Sequence, residues 1–285
     1  MIPYNSIIVY VTPKKKRYIK KLTPGDVWHT NDGALAADAV AALEYGAIAR
    51  TSLGMPVRVE EATLYDLLMG IKRKTQIIYP KDIAQICLRL GAGPDRTIVE
   101  AGCGSGSLTL ALSWFCGPTG KVVSHDSREE FTRLARRNLD WAGLGANVVI
   151  HNRDVSAGFE AAGADALFLD MREPWLCLGQ IPQAVRPGAT LGFLLPTTPQ
   201  VSALLDGLET GPFGEVEVCE ILLRPWKPLA DRLRPADRMT SHTGFLVFCR
   251  YQKKCPEFDS WLAPGTRERK QLAAALEKQA ARSAG

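Results

Sequence analysis

No stretch of this 285-residue chain approaches the ~20 consecutive apolar residues of a membrane span, so none is expected. Basic residues do not precede an N-terminal apolar run. In "MIPYNSIIVYVTPKKKRYIKK" they come after it, the reverse of a secretory signal, and no signal peptide is read. Cys-x-x-Cys is absent, although cysteines stand at 87, 103, 116, 177, 219, 249 and 255. Their odd number argues against a disulfide framework, and the four histidines (29, 125, 151 and 242) fall at no ligand spacing. No metal is expected, and the thiols read as reduced, in a cytoplasm. No internal repeat is present. No Gly-Lys-Ser/Thr follows the main glycine cluster, which removes the phosphate loop of nucleoside triphosphatases.

What is present begins with charge. The net charge is only +5, but it is clumped. "PKKKRYIKK" places six basic residues between Lys14 and Lys21, and "GIKRKTQ" places three at 72–74. The tail "TRERKQLAAALEKQAARSAG" adds five basic residues against two acidic ones. Such clumps suit a polyanion such as RNA, with Lys14, Lys15, Lys16 and Arg17 as the first candidates. On charge alone, a merely solvated hairpin and helix remain the alternative.

The hydrophobic pattern divides the chain at 1–62, 63–255 and 256–285. Residues 4–60 read as short strands, with Asn-Asp-Gly in "HTNDGAL" as a turn signal. That module is too short to bury much core alone and is expected to lean on the domain C-terminal to it. Leu64, Leu67, Leu68 and Ile71 share one helical face. "YPKDIAQICLRL" opens a second helix at Pro80, with Ile83, Ile86, Cys87 and Leu90 as its stripe and Gly91 as its stop. Strand and helix then alternate through "RTIVEAG", "SLTLALSWFCG", "GKVVSHD", "REEFTRLARRNLDWAG", "NVVIHNRD", "ADALFLDM", "LCLGQIPQAV", "ATLGFLLP" and "TPQVSALLDGLE". "EVEVCEILLRPW" and "TGFLVFCRY", with no helix between them, read as a final antiparallel pair. The fold class is α/β: a Rossmann-like, mostly parallel sheet covered on both faces, behind a small N-terminal β domain. A basic tail helix is expected after Pro264.

In such a sheet a ligand sits at the carboxyl ends of the strands, beside the first strand–helix turn. "EAGCGSG" fills that turn, and Gly102, Gly104 and Gly106 give the backbone room to bend and to approach a ligand. The dinucleotide pattern is imperfect, since Ser107 stands where a third spaced glycine would be. Glu100 ends the strand where a dinucleotide site is apolar, and a carboxylate there suits an ammonium group. Asp126 ends the next strand, placed for two ribose hydroxyls. Asp154 ends the strand after that, placed for an adenine amino group. A ligand with both a nucleoside and an ammonium is S-adenosylmethionine. Asp170 in "LFLDMREPW" then falls beside the point where a methyl group would leave, with Pro174-Trp175 as a rigid turn and aromatic wall. A helix cap is the plainer reading of Asp170.

The segments "RYIKKLTPGDVWHTNDGAL", "KRKTQIIYPKD", "VEAGCGSGSLTLAL", "LDMREPW" and "RPADRMTSHTGFLVF" occur in an order that resembles the tRNA (adenine-58-N1)-methyltransferases, over roughly residues 5–250. The resemblance implies a homotetramer that transfers a methyl group from S-adenosylmethionine to N1 of an adenine in the tRNA T-loop. Carried over by motif, Ser105, Gly106, Ser107, Leu108 and Asp126 hold the cofactor, with Phe131 close by. Asp154 and Val155 flank its adenine, Asp170 is the catalytic carboxylate, Tyr79 faces the target base, and "SHTGF" lines the pocket near His242. Two departures concern that pocket: "LLPT" at Leu194–Thr197 replaces Tyr-Leu-Pro-Asn, and Ser241 replaces a glycine. Rival readings are a methyltransferase for another substrate, a non-catalytic RNA-binding subunit and an NAD-dependent oxidoreductase. Glu100 and Ser107 disfavour the last, and the intact glycines and Asp170 disfavour the second.

Overall fold

The computed structural model describes residues 1–74 and 76–252, with Gly265, Lys270, Gln271 and Ala274 beyond them. The expected tail over 256–285, those four residues apart, and Cys255 lie outside the described residues.

The first elements are β1 (Ile7–Val11), β2 (Arg17–Lys21), β3 (Val27–Thr30), β4 (Gly33–Ala36), α1 (Ala37–Ala41), β5 (Ile48–Arg50) and β6 (Pro56–Glu61). They form an antiparallel sheet in the order β2-β1-β6-β5 and a β3–β4 hairpin that turns at Asn31-Asp32. The short helix α1 differs from the all-strand expectation, because alanine is the strongest helix former and "AADAVAA" supplies it at successive positions. This module also buries a core of its own. Ile8, Leu22, Val40 and Val59 are fully buried, and Tyr10 stacks between Tyr18 and Trp28 at 4.8 and 6.0 Å.

It leans on the rest of the chain through β2. Arg17 bridges Asp66 at 2.8 Å and Glu60 at 3.3 Å. Lys21 Nζ donates to the carbonyls of Asp140 and Trp141, at 3.3 and 3.2 Å, in the last turn of a later helix where the backbone dipole favours a cation. Asp66 sits in α2 (Leu64–Gly70), where it closes a capping box with Thr63. Burial works to raise the Asp66 carboxyl, but Thr63 and Arg17 together hold it below the usual range.

Next come α3 (Pro80–Leu90), β7 (Thr97–Ala101), α4 (Ser107–Cys116), β8 (Lys121–Asp126), α5 (Glu129–Ala142), β9 (Val148–Asn152), β10 (Ala164–Leu169), α6 (Ile181–Ala184), β11 (Val185–Leu195), α7 (Thr198–Thr210) and β12 (Phe213–Cys219). The minor strands β13 (Trp226–Lys227) and β14 (Arg234–Pro235) pair with each other, and β15 (Phe245–Tyr251) completes the set. The main sheet runs β12-β15-β11-β10-β7-β8-β9. Its five strands from β11 to β9 are parallel, while β15 inserts antiparallel between β11 and β12. Ile98 and Val99 point to opposite faces and join separate core clusters, as the alternation in a strand covered on both sides requires. Strand order reverses between β7 and β10, so a crevice opens at their carboxyl ends.

Two segments differ from their expected form. "LCLGQIPQAV" is a 3-10 turn over Pro174–Gln180 leading into the four-residue α6, because Gly179 and Pro182 interrupt a regular helix. The strand expected over "EVEVCEILLRPW" stops at Cys219 after a register shift near Glu215, whose φ is +54°.

Asp66→Ala removes both the cap and the partner of Arg17. It is expected to cost about 2–3 kcal/mol, read as a lower urea midpoint with an unchanged slope.

Candidate active site

The approach of β7 to β10 depends on a missing side chain. Gly102 has φ +87°, and a Cβ built there would lie 1.9 Å from the Asp170 carbonyl oxygen. No side chain fits, and the Asp170 amide donates to the Ala101 carbonyl at 2.9 Å. Gly106, at φ +81°, serves a different contact: its Cβ would lie 2.9 Å from Ala135 Cα, so this glycine lets α4 pack on α5 and does not line the crevice.

Three carboxylates meet at the strand ends. Glu100 is 1% exposed; its Oε2 accepts from the hydroxyls of Thr109, at 2.6 Å, and Ser124, at 2.7 Å. Ser124 is its register partner on β8, and Thr109 reaches it from α4. Burial pushes the Glu100 carboxyl up to about 7; the two hydroxyls oppose this, and Asp170 and Asp126 add to it. Asp170 is raised to about 6, again chiefly by burial and then by Asp126, with Arg128 opposing. Among the described residues, none hydrogen-bonds the Asp170 carboxylate. Asp126 is already engaged: Oδ2 accepts from the Gly104 amide at 3.0 Å, and Oδ1 accepts from the Arg128 amide at 3.0 Å and its Nε at 3.3 Å.

These groups border two adjoining cavities. The larger, about 510 Å³, is lined by Asp126, Asp154, Val155, Asp170, Leu194, Pro196 and Gln200, among others. The smaller, about 170 Å³, is lined by Glu100, Gly104, Ser105, Ser107, Leu108 and Gln76, among others. Gly102, Arg128 and Asp170 line both. Ser107 Oγ also donates to the Ile78 carbonyl, fixing the segment before α3 against the glycine turn.

Other expected site residues fall elsewhere. Phe131 is buried beneath the Arg128 guanidinium, 4.0 Å from it, and supports that arginine rather than the cavity wall. Asp154 Oδ1 caps the turn at Ser156, leaving one oxygen toward the larger cavity. Tyr79 is the N-cap residue of α3 and is half-buried, but it lines neither cavity. Trp175 lines neither cavity; it is half-buried and packs against the core, its Cβ close to Gly207 of α7. His242 is exposed, with both ring nitrogens engaged. Lys14, Lys15 and Lys16 are exposed at the β1–β2 turn, whereas Arg17 is held by Asp66 and Glu60 and is not a free RNA contact.

Thr109, Ser124, Arg128 and His125 were not anticipated. Only Thr109 carried a signal, as a polar residue among the leucines that open α4, nine positions after Glu100. His125 is fully buried, with Nδ1 3.0 Å from the Glu100 carbonyl oxygen and Nε2 accepting from the Glu160 amide at 3.1 Å. That pairing suits a neutral ring, and burial lowers its pKa.

A family model described as the tRNA methyltransferase complex GCD14 subunit matches residues 64–242. This chain belongs to that family. It is 32% identical over 241 residues to the tRNA (adenine(58)-N(1))-methyltransferase TrmI of Thermus thermophilus, covering 84% of this chain and 94% of the relative. It is 30% identical over 234 residues to the tRNA (adenine(57)-N(1)/adenine(58)-N(1))-methyltransferase TrmI of Methanocaldococcus jannaschii, covering 73% and 83%. Among solved structures, tRNA (m1A58) methyltransferase TrmI from Aquifex aeolicus superposes with TM-score 0.78 at 36% identity, over 89% of this chain and 99% of that one. A SAM-dependent O-methyltransferase from Thermotoga maritima gives TM-score 0.84 at 35% identity, over 89% and 96%. The Rossmann-like methyltransferase fold with its N-terminal β module is therefore shared with these relatives.

The raised carboxyls of this family member have a consequence for stability. Glu100 and Asp170 bind protons more tightly folded than unfolded, so between about pH 4 and about pH 7 the folded state holds more of them. Their contribution is most favourable at the acidic end and is lost as pH rises through about 6 and about 7. Asp170→Asn is expected to be more stable than wild type above about pH 7, by about 1–2 kcal/mol, with the difference closing toward about pH 4. Denaturant midpoints measured across that range check it.

Proposed function

We propose that this chain methylates N1 of adenine 58 in the T-loop of tRNA, with S-adenosylmethionine as donor. The observation that carries the reading is the cluster of Glu100, Asp126 and Asp170 at the β7–β10 crevice, two of them with carboxyls raised by burial and Arg128 as the cation that opposes this at Asp170. Such a site favours a ligand with positive centres and a nucleoside. When bound, the donor supplies an electrophilic methyl group on a cationic sulfur. Glu100, Gly104, Ser105, Ser107 and Leu108 line the small cavity suited to its amino-acid end. Asp126, Asp154 and Val155 line the larger cavity, suited to a ribose and an adenine. Phe131 acts through Arg128, and Gly106 through helix packing.

Asp170 borders both cavities and has no hydrogen-bond partner of its own among the described residues, so it is free to accept from an exocyclic amino group. Adenine N1 offers an in-plane lone pair and has no proton to lose before attack. The task is therefore alignment, plus stabilisation of the cation that forms on the base; a carboxylate in a dry site does both. An oxygen acceptor would need a base to take its proton, so the identity of the methylated atom tests the reading directly. The T-loop base has to leave its stack to reach Asp170, and Tyr79, which follows the Gln76–Ile78 wall in sequence but lines neither cavity itself, is the aromatic assigned to meet it at the entrance.

The same proposal covers the organisation of the protein. The division at residue 62 is supported by the separate N-terminal core. Exposed Leu222, Leu223, Trp226, Leu229 and Leu233, between β12 and β15, offer an apolar surface for further copies of the chain, in the homotetramer that the resemblance implied. A cytoplasmic location accords with the free thiols of the described cysteines. No helix among the described residues is long and apolar enough to cross a membrane.

Labelled donor and tRNA should yield N1-methyladenosine at position 58 on nucleoside mapping; a methylated oxygen, or no transfer, would overturn the reading. Asp170→Ala is expected to slow single turnover ~10²–10³-fold while tRNA affinity changes little, because phosphates dominate binding. The wild-type rate should rise with pH through about 6 as Asp170 ionises. Neutralising Lys14, Lys15 and Lys16 together should flatten the salt dependence of tRNA binding by roughly 0.7–0.9 in log–log slope for each phosphate no longer neutralised. An unchanged slope would leave the hairpin as solvated surface.

A further inference from the structure

Two adjacent side chains before β15 tie that loop to three other parts of the chain. The Thr243 hydroxyl donates to Asp82 Oδ2 at 2.7 Å and accepts from Lys81 Nζ at 2.5 Å. The same ammonium donates to Asp82 Oδ1 at 2.8 Å and to the Ile221 carbonyl at 2.7 Å, which uses all three of its protons. The Lys81 and Asp82 side chains are 6% and 1% exposed, so this is a buried, fully satisfied ion pair that is costly to disturb. It lies in the first turn of α3, directly after Tyr79.

One residue earlier, His242 Nδ1 is 2.8 Å from Glu220 Oε1, and Nε2 is 2.9 Å from the Pro196 carbonyl oxygen. A carboxylate and a carbonyl only accept. Both ring nitrogens can donate at once only when the ring is protonated, so this pairing favours the imidazolium. Pro196 lines the larger cavity beside Leu194 and Gln200. His242 thus touches the cavity edge through Pro196, while its neighbour Thr243 is fixed to the buried pair.

We propose that His242 is a positioning residue: as an imidazolium between Glu220 and Pro196, braced by the Lys81–Asp82–Thr243 anchor, it holds the cavity edge against which the target base packs. The inference rests on the proposed function, with the donor's nucleoside on the Asp126, Asp154 and Val155 side of this cavity and the target base on its Leu194, Pro196 and Gln200 side. The charged groups facing His242 are Glu220, after β12, and Lys81 with its partner Asp82, on α3. The Pro196 carbonyl and Glu220 hold its pKa above the ordinary histidine value, and Lys81 opposes them. The edge is therefore held below that raised pKa. It is released as pH rises through it, when one nitrogen turns a lone pair toward an acceptor oxygen.

The test combines kinetics and NMR from about pH 6 to about pH 9. In wild type, KM for tRNA should rise with pH, and the amide signals of Leu195 and Thr197, which flank Pro196, should move with the histidine midpoint. H242A should raise KM about fivefold at the acidic end, the worth of one ordinary solvent-exposed hydrogen bond, with kcat within about twofold. It should also abolish both pH trends and leave donor affinity and thermal midpoint unchanged. E220Q keeps an acceptor but removes the charge, so it should move the KM midpoint and the histidine titration to lower pH. Unchanged KM and amide trends in H242A, or an unmoved midpoint in E220Q, would overturn the inference. Failure of wild type to methylate tRNA would overturn the functional reading instead, and the NMR trends would still decide whether His242 holds Pro196.

Discussion

The close approach of β7 and β10 rests on position 102 having no side chain. The 1.9 Å gap between a built Cβ and the Asp170 carbonyl oxygen excludes every other residue while the Ala101–Asp170 backbone bond is kept. Once that bond forms, the carboxylates of Glu100, Asp126 and Asp170 are brought to one crevice at the sheet's switch point. Their mutual repulsion and desolvation are unfavourable to the fold. The cost is tolerated because Thr109 and Ser124 satisfy Glu100, and Arg128 with the Gly104 amide satisfies Asp126. Of the three carboxylates, that of Asp170 has no hydrogen-bond partner among the described residues, which is why the proposed mechanism rests on it.

Charge placement elsewhere shows a division between structure and solvent. Within one basic cluster, Arg17 and Lys21 fasten the N-terminal sheet to α2 and to the end of α5, while Lys14, Lys15 and Lys16, at the turn, form no ion pair with another described residue. The two histidines near the site divide in the same way. His125, with a carbonyl on one side and an amide on the other, is pushed toward the neutral form; His242, facing two acceptors, is pushed toward the charged one. Partner chemistry, rather than residue type, decides the state of each.

Much of this was legible in the order of residues. Alternating strands and helices carry their own periodicity, and Pro80, Gly91 and the capping box at Thr63–Asp66 are local signals. Glu100, Asp126, Asp154 and Asp170 could be nominated because each ends a strand of one parallel sheet. Where pattern and structure part, local chemistry outweighed periodicity. Gly179 and Pro182 broke a helix that hydrophobic spacing suggested, and alanine content made α1 a helix within a run of strands. Trp175, read as an aromatic wall of the site, packs half-buried against the core near Gly207 of α7.

Sequence by itself determined the element order, the Gly-rich turn and the acids at the strand ends, because these depend on neighbours a few residues apart. The tertiary structure decided which acids cluster, which cations are engaged and which way each histidine's pKa is pushed. Those outcomes depend on pairs such as Lys81 with Thr243, or Arg17 with Asp66, separated by 162 and 49 positions. No local pattern encodes such distances; they exist only once the sheet has closed and burial has made each unpaired charge too costly to leave alone.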